Sequence, residues 1–200
     1  KLATVTNGEK AYKVVVTLPA STNYNSVSKT IYFTIKKATP TVSSPTLASS
    51  LVYNGQAQNL VSTDATANLG TVKYYVGDSK PTGNEATGWS TSVSETLPAT
   101  YHVWYMAFTE DAANYNSSEV KDASTVTIDK ATPTVNVSDA SFDYDGENHY
   151  ISAGYVTLVN GETFSGTITY NYYSDSTYTT LVTDTKDVGT YYCKASIDAA

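Results

Sequence analysis

The hexapeptide Lys37-Ala38-Thr39-Pro40-Thr41-Val42 returns residue for residue as Lys130-Ala131-Thr132-Pro133-Thr134-Val135, 93 positions later. Asn23-Tyr24-Asn25-Ser26 likewise returns as Asn114-Tyr115-Asn116-Ser117. A strand-like stretch precedes each Lys-Ala-Thr-Pro element, Ile31-Tyr32-Phe33-Thr34-Ile35 in one case and Val126-Thr127-Ile128 in the other. A turn signal follows each, Tyr53-Asn54-Gly55 and Tyr144-Asp145-Gly146. A period near 90 residues is too long for a solenoid unit and is the size of a whole small sandwich domain. The Ala-Thr-Pro segments therefore read as junctions, because proline stiffens a joint and blocks strand pairing across it. The chain is expected to divide into residues 1–37, the C-terminal part of one repeat; 38–129, a complete repeat; and 130–200, a repeat lacking its last strand.

Alternation places the strands. Val72, Tyr74 and Val76 alternate with Thr71, Lys73 and Tyr75, and their counterparts in the third repeat are Ile168, Tyr170 and Tyr172. Tyr101, Val103, Tyr105 and Ala107 mark a second strand, matched by Tyr191, Cys193, Ala195 and Ile197 and by Tyr12, Val14, Val16 and Leu18. Val126 and Ile128 of the final strand match Phe33 and Ile35. No segment has a helical period. The composition agrees, since Thr, Ser, Val and 18 Tyr dominate, and β-branched and aromatic residues favour strands. The middle repeat is expected to be a seven-stranded sandwich with Val72, Tyr74, Val76, Val103 and Val126 in its core, and the third to superpose on it.

Asp187-Val188-Gly189-Thr190-Tyr191-Tyr192-Cys193 resembles the penultimate strand of an immunoglobulin-type domain. That likeness implies a tyrosine corner, in which the hydroxyl of Tyr191 bonds to nearby backbone; Tyr101 matches it more weakly, and Tyr12 follows Gly8 at the corresponding place. Cys193 is the sole cysteine, and Val103 and Val14 occupy its position in the other repeats. An apolar residue thus stands where a disulfide would be, which excludes an antibody-type or disulfide-stapled domain. Cys193 is expected to be reduced and buried. The Tyr-Asn-Gly turn, the Asn-Tyr-Asn-Ser loop, the Lys-Ala-Thr-Pro junction and Val159-Asn160-Gly161-Glu162-Thr163-Phe164 are similar to the Ig-like repeats of bacterial cell-surface and secreted proteins. The resemblance implies an all-β chain of tandem immunoglobulin-like β-sandwich domains, an extracellular or cell-surface location, and neighbouring Ig-like repeats as partners. Some such domains carry Lys–Asn isopeptide crosslinks.

Searching for chemistry gives little. His102 alternates with the buried set of its strand and is expected at the surface, as is His149, which the sister repeat replaces. Neither belongs to a nucleophile–base constellation, and no catalytic residue is assigned. Asp139, Asp143, Asp145 and Glu147 superficially resemble the start of a calcium loop, but no bidentate Glu follows at the right distance, so the Asp-Gly pair reads as a turn and no metal or cofactor is assigned. A net charge of −7 with no arginine argues against nucleic acid, and no apolar run spans a membrane. The expected role is a non-catalytic spacer, stalk or adhesion repeat. The alternative is a carbohydrate- or host-ligand-binding module using exposed aromatics, with Tyr75, Trp89, Tyr105, Tyr173 and Tyr178 as the candidate ligand residues and Trp104 and Tyr192 beside them; its partner would be a cell-wall or host glycan or protein.

Charge is uneven: residues 1–40 hold six Lys and one acidic residue, and residues 131–200 hold two Lys and nine acidic residues. These are either solvated faces or a source of head-to-tail attraction. The incomplete repeats at the two ends reflect either a longer parent chain or complementation, in which the strand with Ile31, Phe33 and Ile35 fills the vacant place beside residues 191–197 of a neighbouring molecule.

Overall fold

The computed structural model describes residues 12–198. Its regular structure is β apart from single 3-10 turns at Gly83–Glu85 and Val159–Gly161. Strands β1 (Tyr12–Leu18) and β2 (Val27–Phe33) form an antiparallel hairpin with Tyr12 opposite Phe33 and Leu18 opposite Val27. Short strands follow: β3 (Thr46–Leu47), β4 (Leu51–Val52), β5 (Gln58–Asn59) and β6 (Val61–Thr63). Next come β7 (Thr71–Val76), β8 (Ser94–Glu95), β9 (Ala99–Phe108) and β10 (Lys121–Asp129). The last five are β11 (Thr134–Asn136), β12 (Tyr155–Thr157), β13 (Ile168–Tyr173), β14 (Leu181–Val182) and β15 (Tyr192–Ile197). The chain forms two units, one from residues 12–51 with 57–128 and the other from 52–56 with 129–198.

In the first unit a four-stranded sheet runs in the order β4-β10-β9-β7, and β3-β6 and β5-β8 are separate two-stranded ladders. This differs from the expected continuous seven-stranded sandwich. Turn-forming residues interrupt the segment between 43 and 63: Pro45, Ser50 at φ 57°, and Gly55 at φ 74°. Ladders there stop after two or three residues. The inner face of the sheet carries Tyr74, Val103, Tyr105, Ala107, Val126 and Ile128, all buried, and Leu60 between β5 and β6 is fully covered. Of the expected core, Val72 and Val76 are only half-buried.

Two tyrosines bind backbone across this core. The Ala65 N–H donates to Tyr74 Oη at 2.7 Å. In the second unit Tyr172 of β13 accepts from the Ile151 N–H at 2.8 Å and donates to the Ile151 carbonyl at 3.0 Å. Each unit also has a tyrosine whose hydroxyl reaches back four residues, Tyr101 to the Leu97 carbonyl at 2.8 Å and Tyr191 to the Asp187 carbonyl at 3.0 Å. Gly8, the expected companion of Tyr12, lies outside the described residues.

The structure gives a physical reason for the two motifs recurring together. Ala38 donates to the Asn114 carbonyl at 3.2 Å and accepts from the Asn116 N–H at 2.8 Å, a parallel bridge between the junction and the Asn-Tyr-Asn-Ser loop. Asn116 Nδ2 donates to Thr39 Oγ1 at 3.1 Å, and Lys37 Nζ to the Ala112 carbonyl at 2.6 Å. Pro40, buried and without an N–H, ends the pairing.

The second unit holds the β11-β12 ladder and a three-stranded sheet in the order β14-β13-β15. Ile168 pairs with Ile197 and Tyr172 with Cys193. Ile168, Tyr170, Tyr172 and Cys193 are half-buried. Cys193 was expected to be buried; it is partly open because β15 is an edge strand beside a cleft. The burial it does have raises the thiol pKa, which slows alkylation at neutral pH. Cys193→Val should change the thermal stability by less than about 1.5 kcal/mol, since the swap conserves volume and charge. A calorimetric scan of the variant checks this, and a larger loss would mean that the thiol makes a specific bond.

Candidate functional site

Strand β9 reads Tyr-His-Val-Trp-Tyr-Met-Ala-Phe from 101 to 108, apolar on both faces. Such a run is covered on both sides. The inner set is the core described above. The outer set is His102, Trp104, Met106 and Phe108, and β7 pairing places Tyr75 opposite Trp104, Lys73 opposite Met106 and Thr71 opposite Phe108. Trp104 and Met106 form a buried cluster with Val120, and Tyr75, Trp89 and Phe108 pack on it half-exposed.

The segment between β7 and β8 delivers Trp89 to this face. The Trp89 indole N–H donates to the Gly83 carbonyl at 2.9 Å, and that of Trp104 to the Gly77 carbonyl at 2.9 Å. Gly88 has φ +96°, and a Cβ there would stand 3.4 Å from the Tyr75 ring. The turn thus needs glycine for its conformation and brings bare backbone against the ring. Trp89 lies between two rings, 5.7 Å from Tyr75 with a 51° tilt and 5.3 Å from Phe108 edge-on at 70°. The Lys73 ammonium sits 4.8 Å above the Phe108 ring.

At the other end of the stripe His102 stacks on Trp104, centroids 4.4 Å apart and planes within 13°. His102 Nε2 and Asp122 Oδ1 are 2.7 Å apart. A bulge in β10 between Asp122 and Ser124 makes this possible. The extra residue keeps Asp122 on the outer face while Val126 and Ile128 point into the core. The imidazole bond, then the Ser124 amide at 2.6 Å, hold the Asp122 carboxyl below the usual carboxylate range. His102 is therefore part of the aromatic surface and not an isolated surface side chain.

In the second unit β13 ends in Tyr173, and Tyr178 from the next turn meets it edge-on, 5.5 Å away at 88°. Tyr178 is 46 % exposed and has φ 56°, a conformation rare for tyrosine. Asp175 holds the turn. Its carboxylate accepts from the Thr177 and Thr179 hydroxyls and from the N–H groups of Thr177, Thr179 and Thr180, the last at 2.7 Å. These donors, the Thr177 hydroxyl first and the Thr180 amide next, hold the Asp175 pKa far below the ordinary range.

Of the candidate ligand residues, the structure joins Tyr75 with Trp89 and Tyr173 with Tyr178. Tyr105 is removed from the set. It is 2 % exposed on the inner face, with its hydroxyl donating to Ser44 Oγ at 3.3 Å. Residues two apart in a strand share a face, so Tyr105 follows Val103 inward. Trp104 underlies the cluster, and Tyr192 is half-buried on β15. Met106 and Phe108 were missed by sequence reasoning. Their signal was the unbroken apolar run of β9, from which only one phase had been used.

Asp139, Asp143, Asp145 and Glu147 do not converge; among the described residues no three His, Cys, Asp or Glu side chains form a metal-sized group. Asp145 instead accepts from the Glu147 N–H at 2.9 Å and lies 3.0 Å from His149 Nε2, which stacks on Phe142. Among the described residues no helix is long and apolar enough to cross a membrane. No family model and no curated protein matches the chain.

Proposed function

We propose that this chain is a non-catalytic, carbohydrate-binding stretch of tandem Ig-like repeats from an extracellular or cell-surface protein. The observation that carries the reading is a partly exposed aromatic grouping in each unit: Tyr75 of β7 with Trp89 and Phe108, and Tyr173 of β13 with Tyr178. Aromatic faces offer apolar contact to the C–H faces of sugar rings, and polar groups at the rim fix orientation. In the first unit Lys73 and the His102–Asp122 pair supply that rim. The paired tyrosine-to-backbone bonds of Tyr101 and Tyr191 support the Ig-like assignment.

The test is a glycan array followed by titration of the hits. Tyr75→Ala and Trp89→Ala should each weaken binding at least about tenfold, roughly 1.4 kcal/mol. Tyr178→Ala should weaken it separately if the second unit binds too. An array without hits, or hits unchanged in the variants, overturns the reading. A purely structural spacer is the second reading, and the exact return of the Lys-Ala-Thr-Pro-Thr-Val motif favours it, because tandem repetition suits extension.

A further inference from the structure

A lysine stands among the rings on the outer face of the first sheet. Residues two apart in β7 share a face, so Lys73 lies between Thr71 and Tyr75, opposite Met106 of β9. Its ammonium is 4.8 Å from the centroid of the Phe108 ring, which itself meets Trp89 edge-on. Other lysines are taken up elsewhere. Lys37 Nζ donates to the Ala112 carbonyl and Lys121 Nζ to the Val42 carbonyl, and Lys186 Nζ pairs with Asp184. Lys73 Nζ has neither a carboxylate nor a hydrogen-bond acceptor among the described residues. A ring face attracts an ammonium without taking up its N–H groups as an acceptor oxygen does. The donors of Lys73 therefore stay available at the edge of the aromatic surface.

Asp122 is the carboxylate that could oppose an anion here. It stands opposite Trp104 on β10, with β9 between it and β7. Two strand spacings across and two residues along separate its backbone from that of Lys73 by on the order of 12 Å, beyond the Debye length of about 8 Å. The Lys73 side chain leans further away, toward Phe108, which pairs with Thr71. Asp122 Oδ1 is already engaged by His102 and by the Ser124 N–H. Attraction to an ammonium in direct contact thus outweighs repulsion from Asp122. The chain as a whole carries a charge of −7, so a preference for an anion has to come from this local cation and not from the general field. The aromatic grouping of the second unit is different. The turn that sets Tyr178 against Tyr173 is built on a carboxylate, Asp175.

We infer, on the premise of the carbohydrate reading, that the aromatic surface of the first unit takes a sugar bearing an anionic group, a carboxylate or a sulfate. The C–H face of the sugar ring lies against Trp89 and Phe108, and the anionic oxygens accept from Lys73 Nζ. The parts are held in place beforehand. The indole bond to the Gly83 carbonyl fixes Trp89, and the contact with the Phe108 ring keeps the ammonium beside the rings. Little side-chain freedom is then lost when the ligand arrives. A neutral sugar makes the ring contact alone. The rings supply the affinity that both ligands share, and Lys73 sets the difference between them.

The test titrates the full chain with matched oligosaccharides that differ only in the terminal ring: a neutral hexose, the corresponding hexuronate, or the sulfated hexose. At low salt at least one charged ligand should bind about tenfold or more tighter than the neutral one. The hexuronate and sulfate arms tell which anion is preferred. Raising the salt to about 1 M, where the Debye length is about 3 Å, should narrow the ratio. Lys73→Gln should bring the charged and neutral ligands to within about twofold of each other. Lys73→Arg should keep the preference, and Lys194→Gln, an exposed change on β15 of the second unit, should leave it as it is. Urea midpoints read by indole fluorescence show that each variant is folded. Equal affinity for neutral and charged sugars overturns the inference and leaves the carbohydrate reading standing, whereas binding of no glycan removes both. A preference that survives Lys73→Gln also overturns it. So does equal binding of inorganic polyphosphate, which has the charge without a sugar ring.

Discussion

Ile128→Ala should destabilise the first unit by about 2–5 kcal/mol, the range for truncating a buried isoleucine, whereas Phe33→Ala in the repeat-equivalent strand should cost no more than about 0.5 kcal/mol. The contrast is sharp because the two strands hold corresponding places before their Lys-Ala-Thr-Pro motifs. Ile128 is 1 % exposed, so its truncation leaves a cavity in the buried core. Phe33 is 41 % exposed and loses mainly its stacking on Tyr12, 5.3 Å away. Both tryptophans, Trp89 and Trp104, lie in the first unit. Urea unfolding followed by indole fluorescence therefore reports this unit selectively. The midpoint should fall for Ile128→Ala with little change in slope. Equal costs for the two variants would show that the hairpin is as well packed as the core.

Tyr74→Phe is expected to cost about 1–3 kcal/mol, because it strands the buried Ala65 N–H without an acceptor. The ring itself is conserved, so packing is not the cause. Tyr74→Leu would mix both effects and is the poorer test. The hydroxyl also predicts a pH dependence. Burial is the main cause that raises the Tyr74 pKa above 10.0 in the folded state. The folded state then binds its proton more tightly than the unfolded chain does. The stabilisation is complete below pH 10 and is lost as pH rises through the folded pKa. In alkaline melts the unmodified protein should lose stability in this window more steeply than Tyr74→Phe does. Parallel curves would show that Tyr74 is not the titrating group.

The difference between the two units has a simple origin. In the first unit β9 has a neighbour on each side and a second apolar layer over its outer face, so Val103 to Ala107 are buried in succession. In the second unit β15 pairs only with β13 among the described residues, and from Cys193 onward its residues alternate between half-buried and exposed. Apolar side chains at equivalent positions thus have different surroundings. Val103 is fully buried, while Cys193 lines an open cleft.

Period-2 alternation and β-branched composition determined that the chain is all-β, and placed β7, β9, β13 and β15 to within a residue or two, because one apolar face recurs every second residue. The repeated motifs identified the segments that bind each other, Lys37 to Thr39 with Asn114 to Asn116. Alternation could not say that β9 is covered on its outer face as well. That required the excursion between β7 and β8 to fold back, held by the Trp89 indole bond to Gly83 and the close approach of Gly88 to Tyr75. Nor could it give the bulge at Asp122, which places a carboxylate against His102, or the Asp175 turn that stands Tyr178 against Tyr173. These contacts join residues far apart in period and phase, and their geometry is set by loop closure and side-chain packing, which a local pattern does not encode. The phase that Tyr105 shares with Val103 was legible in the alternation, but only the tertiary structure set Trp89 between Tyr75 and Phe108.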